Sequence, residues 1–454
     1  MKISRILLML LMCAQLSVHV SASAWTITGV ELIEYKIPRT SVFRTAKGSS
    51  SVTPGIFVVL SASSANGQAA EGVGDMLPRK NVTNEPMSDA WPAAQQMAEL
   101  LIDVSFSGDD LVADRATVVE LMAGLKKFAN AYRLSYSKPP TKGRELRATL
   151  CGFDVALLAL LGDIYDKPLH EVLGETRRDS VRIAGVTKSL GLSSSDAQKA
   201  VAKAHAEHRC VRLKIGGDEE AELGMLRATA LAIVGMRPDL EIFVDVNQGW
   251  KDASHALEAL GQIREMLRET NYQGRFICEQ PTREDDFEAL AEVTRHTRQW
   301  AQEDPFEILI MADESVWDLE DVRKLVALDA VDQINIKIQK AGGLMESLRM
   351  AEYLHEKKTD WEVYVGGVLM SDVGAWANHQ LGYCLPRLDY MTGAVPRRAI
   401  TVNPATNPLL YRRGTRTLVG PNASGLGTGL DREALEPFVL NFHQITTNSN
   451  ESEN

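Results

Sequence analysis

The chain has 454 residues, of which 45% are apolar, 24% charged and 6% aromatic, and its formal net charge at pH 7 is -11. Length and composition are typical of a globular protein of two or three domains. The acidic balance argues against nucleic acid as a partner, because nucleic-acid-binding proteins usually carry a basic surface.

Residues 1–24 have the pattern of a secretory signal peptide. Lys2 and Arg5 precede an apolar run, and Ala22-Ser-Ala24 supplies the small residues of a cleavage site. Polar residues from Gln15 onward interrupt the run before it reaches the about 20 residues that a membrane-spanning helix needs. We therefore expect a secreted or periplasmic protein with no membrane span.

Residues 25–150 combine strand patterns with helical periodicity. Two alternating segments, residues 26–35 and 55–60, are separated by a polar stretch, residues 38–54, whose Ser, Thr and Gly content predicts a long loop. Apolar residues at helical spacing then follow in residues 90–104, 116–132 and 146–161. The pattern predicts an α+β domain.

Residues 151–399 change, from about residue 180, to alternating strand and helix patterns. This alternation predicts a parallel α/β sheet. Seven strands are apparent, the first over residues 181–187, and Arg387-Leu-Asp389 is a weak candidate for the eighth. Residues 400–440 lose the alternation, and we expect the polar tail, residues 445–454, to be disordered.

Five of these strands end on or just before a charged residue, in the order Lys214, Asp245, Glu279, Asp313 and Lys337. The last four are separated by 34, 34 and 24 residues. A strand with its crossover helix takes roughly 25–35 residues in an eight-stranded barrel. The spacing therefore predicts a barrel with one charge at the C-terminal end of each successive strand, where such folds keep their active sites.

The residue types indicate the chemistry. One acid at a strand end is usually a solvated loop residue or a helix cap, and one lysine is usually a surface residue. Three carboxylates together suit Mg²⁺ or Mn²⁺, and two lysines facing each other suit proton transfer next to a carboxylate. Arg212, two residues before Lys214, could lower the pKa of that lysine. Two opposed bases would deliver racemisation or epimerisation through an enolate.

At these residues the chain resembles the enolase superfamily, in its muconate lactonizing enzyme subgroup. The matching motifs are Arg212-Leu-Lys214, Asp245-Val-Asn247, Cys278-Glu279-Gln-Pro, Ala312-Asp313-Glu-Ser and Asn335-Ile-Lys337. The resemblance implies a modified (β/α)₇β TIM-like barrel with an N-terminal α+β capping domain, residues 25–150, that residues 400–440 complete. It also implies Asp245, Glu279 and Asp313 as Mg²⁺ ligands and Lys214 and Lys337 as the acid/base pair, with Arg212, Asn247 and Asn335 in support.

Substrate recognition follows the family pattern less closely. Members of the subgroup commonly have a lysine where this chain has Arg212. They often have a glutamate where this chain has Met370. Dipeptide epimerases usually have Asp-x-Asp at the position of Arg387-Leu-Asp389 in this chain. Alanine–glutamate epimerases tend to have an arginine at the position that Gly48 occupies here. We expect Thr187, Arg387 and Asp389 to contact a small-molecule carboxylate substrate.

Three functions remain open at this point. The first is a Mg²⁺-dependent racemase or epimerase of an amino-acid derivative or dipeptide. The second is a cycloisomerase or syn-dehydratase of the muconate or succinylbenzoate type, which shares the enolate step. The third is a non-catalytic binding protein that has kept the fold. We also expect a homo-oligomer.

Overall fold

The computed structural model describes residues 24–45, 48–132, 134–135, 144–188, 192–204, 206–391, 399–412, 415, 417–418 and 423–447. Apart from Ala24, the predicted signal peptide lies outside these residues. The strands are β1 (Trp25–Thr45), β2 (Gly48–Ser64), β3 (Ala69–Met76), β4 (Ser105–Phe106), β5 (Val181–Arg182), β6 (Gly185–Lys188), β7 (Cys210–Lys214), β8 (Glu241–Asp245), β9 (Arg275–Glu279), β10 (Glu307–Ala312), β11 (Gln333–Ile336), β12 (Glu362–Val365), β13 (Tyr390–Met391), β14 (Thr417–Leu418) and β15 (Val439–Thr446).

The α-helices of the described residues are α1 (Met87–Glu99), α2 (Leu111–Ala131), α3 (Arg147–Ile164), α4 (Leu169–Leu173), α5 (Ser194–Ala202), α6 (Glu219–Met236), α7 (Ala253–Glu269), α8 (Phe287–Trp300), α9 (Leu319–Leu328), α10 (Ile338–Ala341), α11 (Leu344–Lys357), α12 (Asp372–Cys384) and α13 (Arg432–Leu435). A 3₁₀ turn, Glu436–Phe438, precedes the last strand. No helix in the described ranges has the length and apolar content needed to cross a membrane.

The N-terminal part is an antiparallel sheet in the order β15-β1-β2-β3, with β4 paired to β1. β3 packs on α3, where Gly72 and Gly74 allow the backbones to touch: a Cβ on Gly74 would lie 2.0 Å from the carbonyl oxygen of Gly152. Ile445 and Thr446 belong to β15, so the predicted disordered tail was wrong at its start. Its remainder, residues 448–454, lies outside the described residues.

The predicted loop of residues 38–54 was also wrong, because β1 extends to Thr45, β2 begins at Gly48, and the two strands pair over much of this range. The backbone stays extended there because the end of β1 is hydrogen-bonded to the chain that follows the barrel. Thr40 N–H donates to the carbonyl of Ala399 at 3.0 Å, and Thr401 N–H donates to that of Pro38 at 3.0 Å. Composition alone misses such long-range pairing.

The second sheet confirms the predicted TIM-like barrel. Eight parallel strands lie in the order β13-β12-β11-β10-β9-β8-β7-β6, and a parallel bridge between Ile183 and Met391 joins the two ends. The first predicted strand is in fact divided, since β5 pairs with β14 and only β6 enters the barrel. The eighth strand is Tyr390–Met391 and begins just after the predicted segment.

The barrel interior below the strand ends is a closed apolar layer contributed by seven strands and their flanks: Ala184, Cys210, Phe243, Ile277, Met311, Tyr364 and Tyr390. At the N-terminal end, Arg209 bonds Glu241 (Nε–Oε2 2.8 Å) and Glu362 (Nη2–Oε1 3.0 Å) and stacks on Tyr390 (4.4 Å). The described cysteines 151, 210, 278 and 384 are buried free thiols.

Candidate active site

The barrel strands bring the five charged residues to one end of the sheet. In the register of β7, β8 and β9, Lys214 lies beside Asp245 and Asp245 beside Glu279. Asp313 and Lys337 directly follow β10 and β11. All five are buried or nearly so, and each carboxylate is at most 1% exposed. Five consecutive strands therefore carry one charge each at the barrel mouth.

Asp245 is bonded to two cations. Lys214 Nζ and Arg212 Nη2 both donate to its Oδ2, and Lys214 also donates to Asn247 Oδ1 at 3.0 Å. Asn247 in turn donates to Glu314 Oε1 at 3.3 Å. The Arg212 guanidinium lies 4.9 Å from the centroid of the Phe243 ring in the barrel interior.

Glu279 is held between strands on either side. Arg212 Nη2 donates to its Oε2, so one guanidinium bridges Asp245 and Glu279. Asn335 Nδ2 donates to Glu279 Oε1 at 2.7 Å. Gly366, after β12, leaves room for this amide, since a Cβ there would lie 2.2 Å from Asn335 Oδ1. The predicted supporting residues Arg212 and Asn335 thus both contact the middle carboxylate.

Asp313 is bonded to two lysines. Lys337 Nζ donates to Oδ2, and Lys340 Nζ donates to Oδ1 at 2.7 Å and to the main-chain carbonyl. The main chain of the same turn is held by Gln280, whose Oε1 accepts from the N–H groups of Asp313 (2.9 Å) and Ser315 (3.1 Å). Asp313 is therefore fixed by both its backbone and its side chain.

The pKa values separate the three carboxyls. Burial raises the pKa of Asp313, but Lys337 and Lys340 outweigh burial and hold it well below the usual range. The pKa of Asp245 is lowered as well: burial raises it, but the charges of Lys214 and Arg212 outweigh burial. Burial raises the pKa of Glu279 to about 8, since Arg212 offsets only part of it. The middle position is thus the one where negative charge is least well compensated.

The two lysines on Asp313 also differ. Burial lowers the pKa of Lys337, but the charges of Asp313 and Glu279 outweigh burial and raise it above its ordinary value. For Lys340 burial is the larger effect, and its pKa is lowered despite Asp313. Lys337 can accept a proton from carbon only if some of the carboxylate charge near it is neutralised.

The donor set at the mouth fits a hard divalent cation. Asp245, Glu279 and Asp313 supply only oxygen, on three consecutive strands, and this favours Mg²⁺ over Zn²⁺. As the side chains lie, ammonium and guanidinium groups contact these oxygens, and in the part of the chain described here no three His, Cys, Asp or Glu side chains surround a common metal position. Binding a cation therefore requires Lys214 and Lys337 to turn away from the carboxylates.

Arg387 and Asp389 are not brought to this mouth. They pair with each other (Nε–Oδ2 2.8 Å), and Asp389 also accepts from Val363 N–H at the start of β12. They precede β13 and so lie at the N-terminal end of the barrel, because β12 and β13 are parallel. Thr187 pairs with Arg212 through β6 and β7, but its side chain lies outside the described part.

Two residues at the site were not singled out from the sequence. Gln280 lies inside the quoted Cys278-Glu279-Gln-Pro motif, where a buried amide is hard to distinguish from a turn residue. Lys340 carries a clearer signal, because it is a second lysine only three residues after Lys337, in the short helix that Lys337 precedes.

A family model described as enolase C-terminal domain-like matches residues 195–434, which is 240 of the 454 residues. The chain belongs to the enolase superfamily. Its relatives place it in the muconate lactonizing enzyme subgroup of that superfamily, as the motifs predicted.

Three curated relatives illustrate the range of named activities among the proteins similar to this chain. The hydrophobic dipeptide epimerase of Enterococcus faecalis is 33% identical over 205 residues, 45% of this chain and 51% of that enzyme, so the chain spans about half of its length. The chloromuconate cycloisomerase of Cupriavidus pinatubonensis is 26% identical over 74% of this chain and 84% of its own length. The D-Ala-D/L-Ala epimerase of Cytophaga hutchinsonii is 25% identical over 91% of this chain and 100% of its own.

Solved structures show the same fold. The E. faecalis dipeptide epimerase complexed with Mg and L-Leu-L-Tyr superposes with a TM-score of 0.71 at 22% identity, covering 89% of this chain and 99% of that one. The C. hutchinsonii dipeptide epimerase complexed with Mg and D-Ala-L-Val gives 0.72 at 22% identity, over 93% and 100%. Enolase superfamily members of this kind point to a divalent metal cofactor.

Proposed function

We propose that the chain is a Mg²⁺-dependent racemase or epimerase that acts on the α-carbon of a carboxylate substrate, an amino-acid derivative or a dipeptide. One observation supports this most strongly. Lys214 and Lys337 stand four strands apart in the barrel, and each is bonded to its own carboxylate, Asp245 or Asp313, with Glu279 between them. Two bases on opposite sides of one acidic site suit inversion at a carbon placed between them.

The residues divide the reaction into two proton transfers. One lysine, neutral at that moment, takes the α-proton from its face of the substrate and leaves an enolate. The opposite lysine, charged, returns a proton to the other face, so the configuration inverts. Mg²⁺ bound by Asp245, Glu279 and Asp313 would supply the positive charge that stabilises the enolate.

The named activities of the relatives support this reaction class and keep one alternative in view. Two are epimerases of dipeptides, and one is a cycloisomerase that matches a larger share of its own length than the E. faecalis enzyme does. A cycloisomerase or dehydratase would share the enolate step. We favour epimerisation because each lysine is bonded to a carboxylate of the site, on opposite sides of it.

Deuterium exchange tests the proposal. The protein is incubated in D₂O with Mg²⁺ and a panel of dipeptides, N-acyl amino acids and cycloalkene acids, and α-deuterium and products are followed by mass spectrometry and chiral chromatography. We expect deuterium incorporation with inversion, and none from the Lys214→Met, Lys337→Met double variant. Ring formation or loss of water would favour the cycloisomerase or dehydratase, and binding without exchange would favour a non-catalytic protein.

A further inference from the structure

Lys340 is a buried lysine that the reaction as proposed does not use. It is 1% exposed, and it reaches Asp313 Oδ1 and the Asp313 carbonyl, while Lys337 occupies Oδ2. The two lysines therefore share one carboxylate from different sides. Their exposure differs, because the Lys337 side chain is 12% exposed and the Lys340 side chain 2%.

The short helix α10 that carries Lys340 is fixed at its C-terminal end. Its last residue, Ala341, is followed by Gly342 and Gly343, with φ of +87° and +142°. Arg147 Nη1 donates to the Ala341 carbonyl at 3.2 Å, and Asp154 Oδ2 accepts from Leu344 N–H at 2.6 Å. Both partners lie on α3, so the main chain that carries Lys340 is anchored to that helix. Leaving a buried ammonium without its partner is also costly.

The other side of the mouth has a matching arrangement. Asp245 accepts hydrogen bonds from Lys214 and from Arg212, whose guanidinium stacks over Phe243. Each proposed acid/base lysine thus shares its carboxylate with a second cation, Arg212 on one side and Lys340 on the other. These two cations reduce the formal charge of the three carboxylates from -3 to -1. A dication and a substrate carboxylate, with formal charges of +2 and -1, would then balance these groups, and the charged member of the acid/base pair would add one positive charge.

We propose that Lys340 is a positioning residue: a fixed counter-charge on Asp313 that weakens cation binding and leaves Lys337 free to turn to the substrate. The inference rests on the proposed function. Without Lys340, Asp313 would attract a cation more strongly, and it would also hold Lys337 as its only remaining ammonium partner. Loss of the charge should therefore tighten cation binding and slow proton transfer on one face of the substrate only.

The variant that tests this is Lys340→Gln, which keeps a donor for the Asp313 carbonyl and removes the charge, with Lys340→Arg as the charge-keeping control. Calorimetric titration with Mg²⁺ should give a Kd at least about threefold lower for Lys340→Gln, since a neighbouring positive charge has been removed. Lys340→Arg should stay near the parent value. This measurement needs no substrate.

Exchange in D₂O is then followed separately from each epimer, with the face served by each base assigned by Lys214→Met and Lys337→Met. Exchange on the Lys337 face should fall at least about thirtyfold in Lys340→Gln, and on the Lys214 face by less than about threefold. Weaker Mg²⁺ binding, an equal fall on both faces, or no change in either would overturn the inference. If the parent protein exchanges no substrate, the proposed function fails, and the titration alone still decides whether Lys340 weakens cation binding.

Discussion

Asn335 donates from Nδ2 to Glu279 Oε1 at 2.7 Å, across two strands of the barrel. Glu279 is the carboxyl whose pKa is raised to about 8, mainly by burial. Gly366, which has no side chain, leaves room for the far side of the amide. This bond orients the middle one of the three carboxylates that we propose as cation ligands.

Asn335→Ala should therefore weaken Mg²⁺ binding. Removing the partner that orients a ligand typically costs about 10- to 100-fold in metal affinity, and we expect the lower end because Arg212 remains. Calorimetric titration provides the measurement. Gln333→Ala is the matched control on the same strand: Gln333 contacts Glu362 and Tyr390 at the other end of the barrel, so it should lower stability and leave the affinity unchanged. Equal effects of both variants would contradict this role of Asn335.

Lys214→Met and Lys337→Met should each lower the rate of inversion by at least about 100-fold, the lower end of what a general acid or base contributes. Each variant should retain α-proton exchange from one epimer, because the opposite lysine can still remove and return a proton on its own face. Chiral analysis after incubation in D₂O measures both. Lys358→Met, which removes a lysine bonded to Asp329, is the control. Full inversion by Lys337→Met would refute the two-base scheme.

The contribution of Asp154 to stability should fall as pH rises through the range from about 4 to 7. Burial, reinforced by Glu346, raises the pKa of Asp154 to about 7 against the backbone hydrogen bonds from Leu344 and Met345. The free carboxyl has a pKa near 3.9. The folded protein therefore binds this proton more tightly than the unfolded chain does, and the resulting stabilisation is present at low pH and lost as pH approaches 7.

Asp154→Asn removes this titration while keeping an acceptor for Leu344 N–H. Between pH 5.5 and 8 the free energy of unfolding of the parent should fall by about 2 kcal/mol more than that of the variant, since one pKa unit corresponds to about 1.4 kcal/mol. Urea unfolding at the two pH values, with chelator present, measures the difference. Parallel pH profiles for the two proteins would exclude Asp154 as the titrating group.

Arg209→Met should destabilise the barrel and leave its mouth unaffected. The substitution removes one cationic partner of Glu241 and Glu362, whose side chains are 12% and 15% exposed. Arg275 is the cation that remains bonded to both. Breaking a largely buried ion pair costs about 3 kcal/mol, measurable by urea unfolding. Arg283→Met, which removes an exposed pair with Asp285, should leave stability essentially unchanged, because exposed ion pairs contribute little. A loss of Mg²⁺ affinity in Arg209→Met would contradict the separation of the two ends.

The positions of the strand-end charges were predictable because a parallel barrel repeats a fixed unit of chain, and a short apolar strand marks each repeat. Arg387 and Asp389 were placed at the wrong end of the eighth strand, since two opposite charges two residues apart can satisfy each other and need not face a ligand. The pairing of β1 with β2 in residues 38–54 escaped prediction because it is stabilised by main-chain hydrogen bonds near Ala399, which is distant in the sequence. Lys340 escaped because its partner carboxylate lies 27 residues earlier, after β10.

The first and last strands of the described chain, β1 and β15, are neighbours in one sheet. During synthesis β1 emerges long before β15, with the entire barrel made in between. The N-terminal sheet therefore keeps an open edge beside Val30 and Leu32 until the final segment arrives. Such an edge can pair with other chains, so truncation before Val439 should leave a barrel whose cap is prone to aggregate.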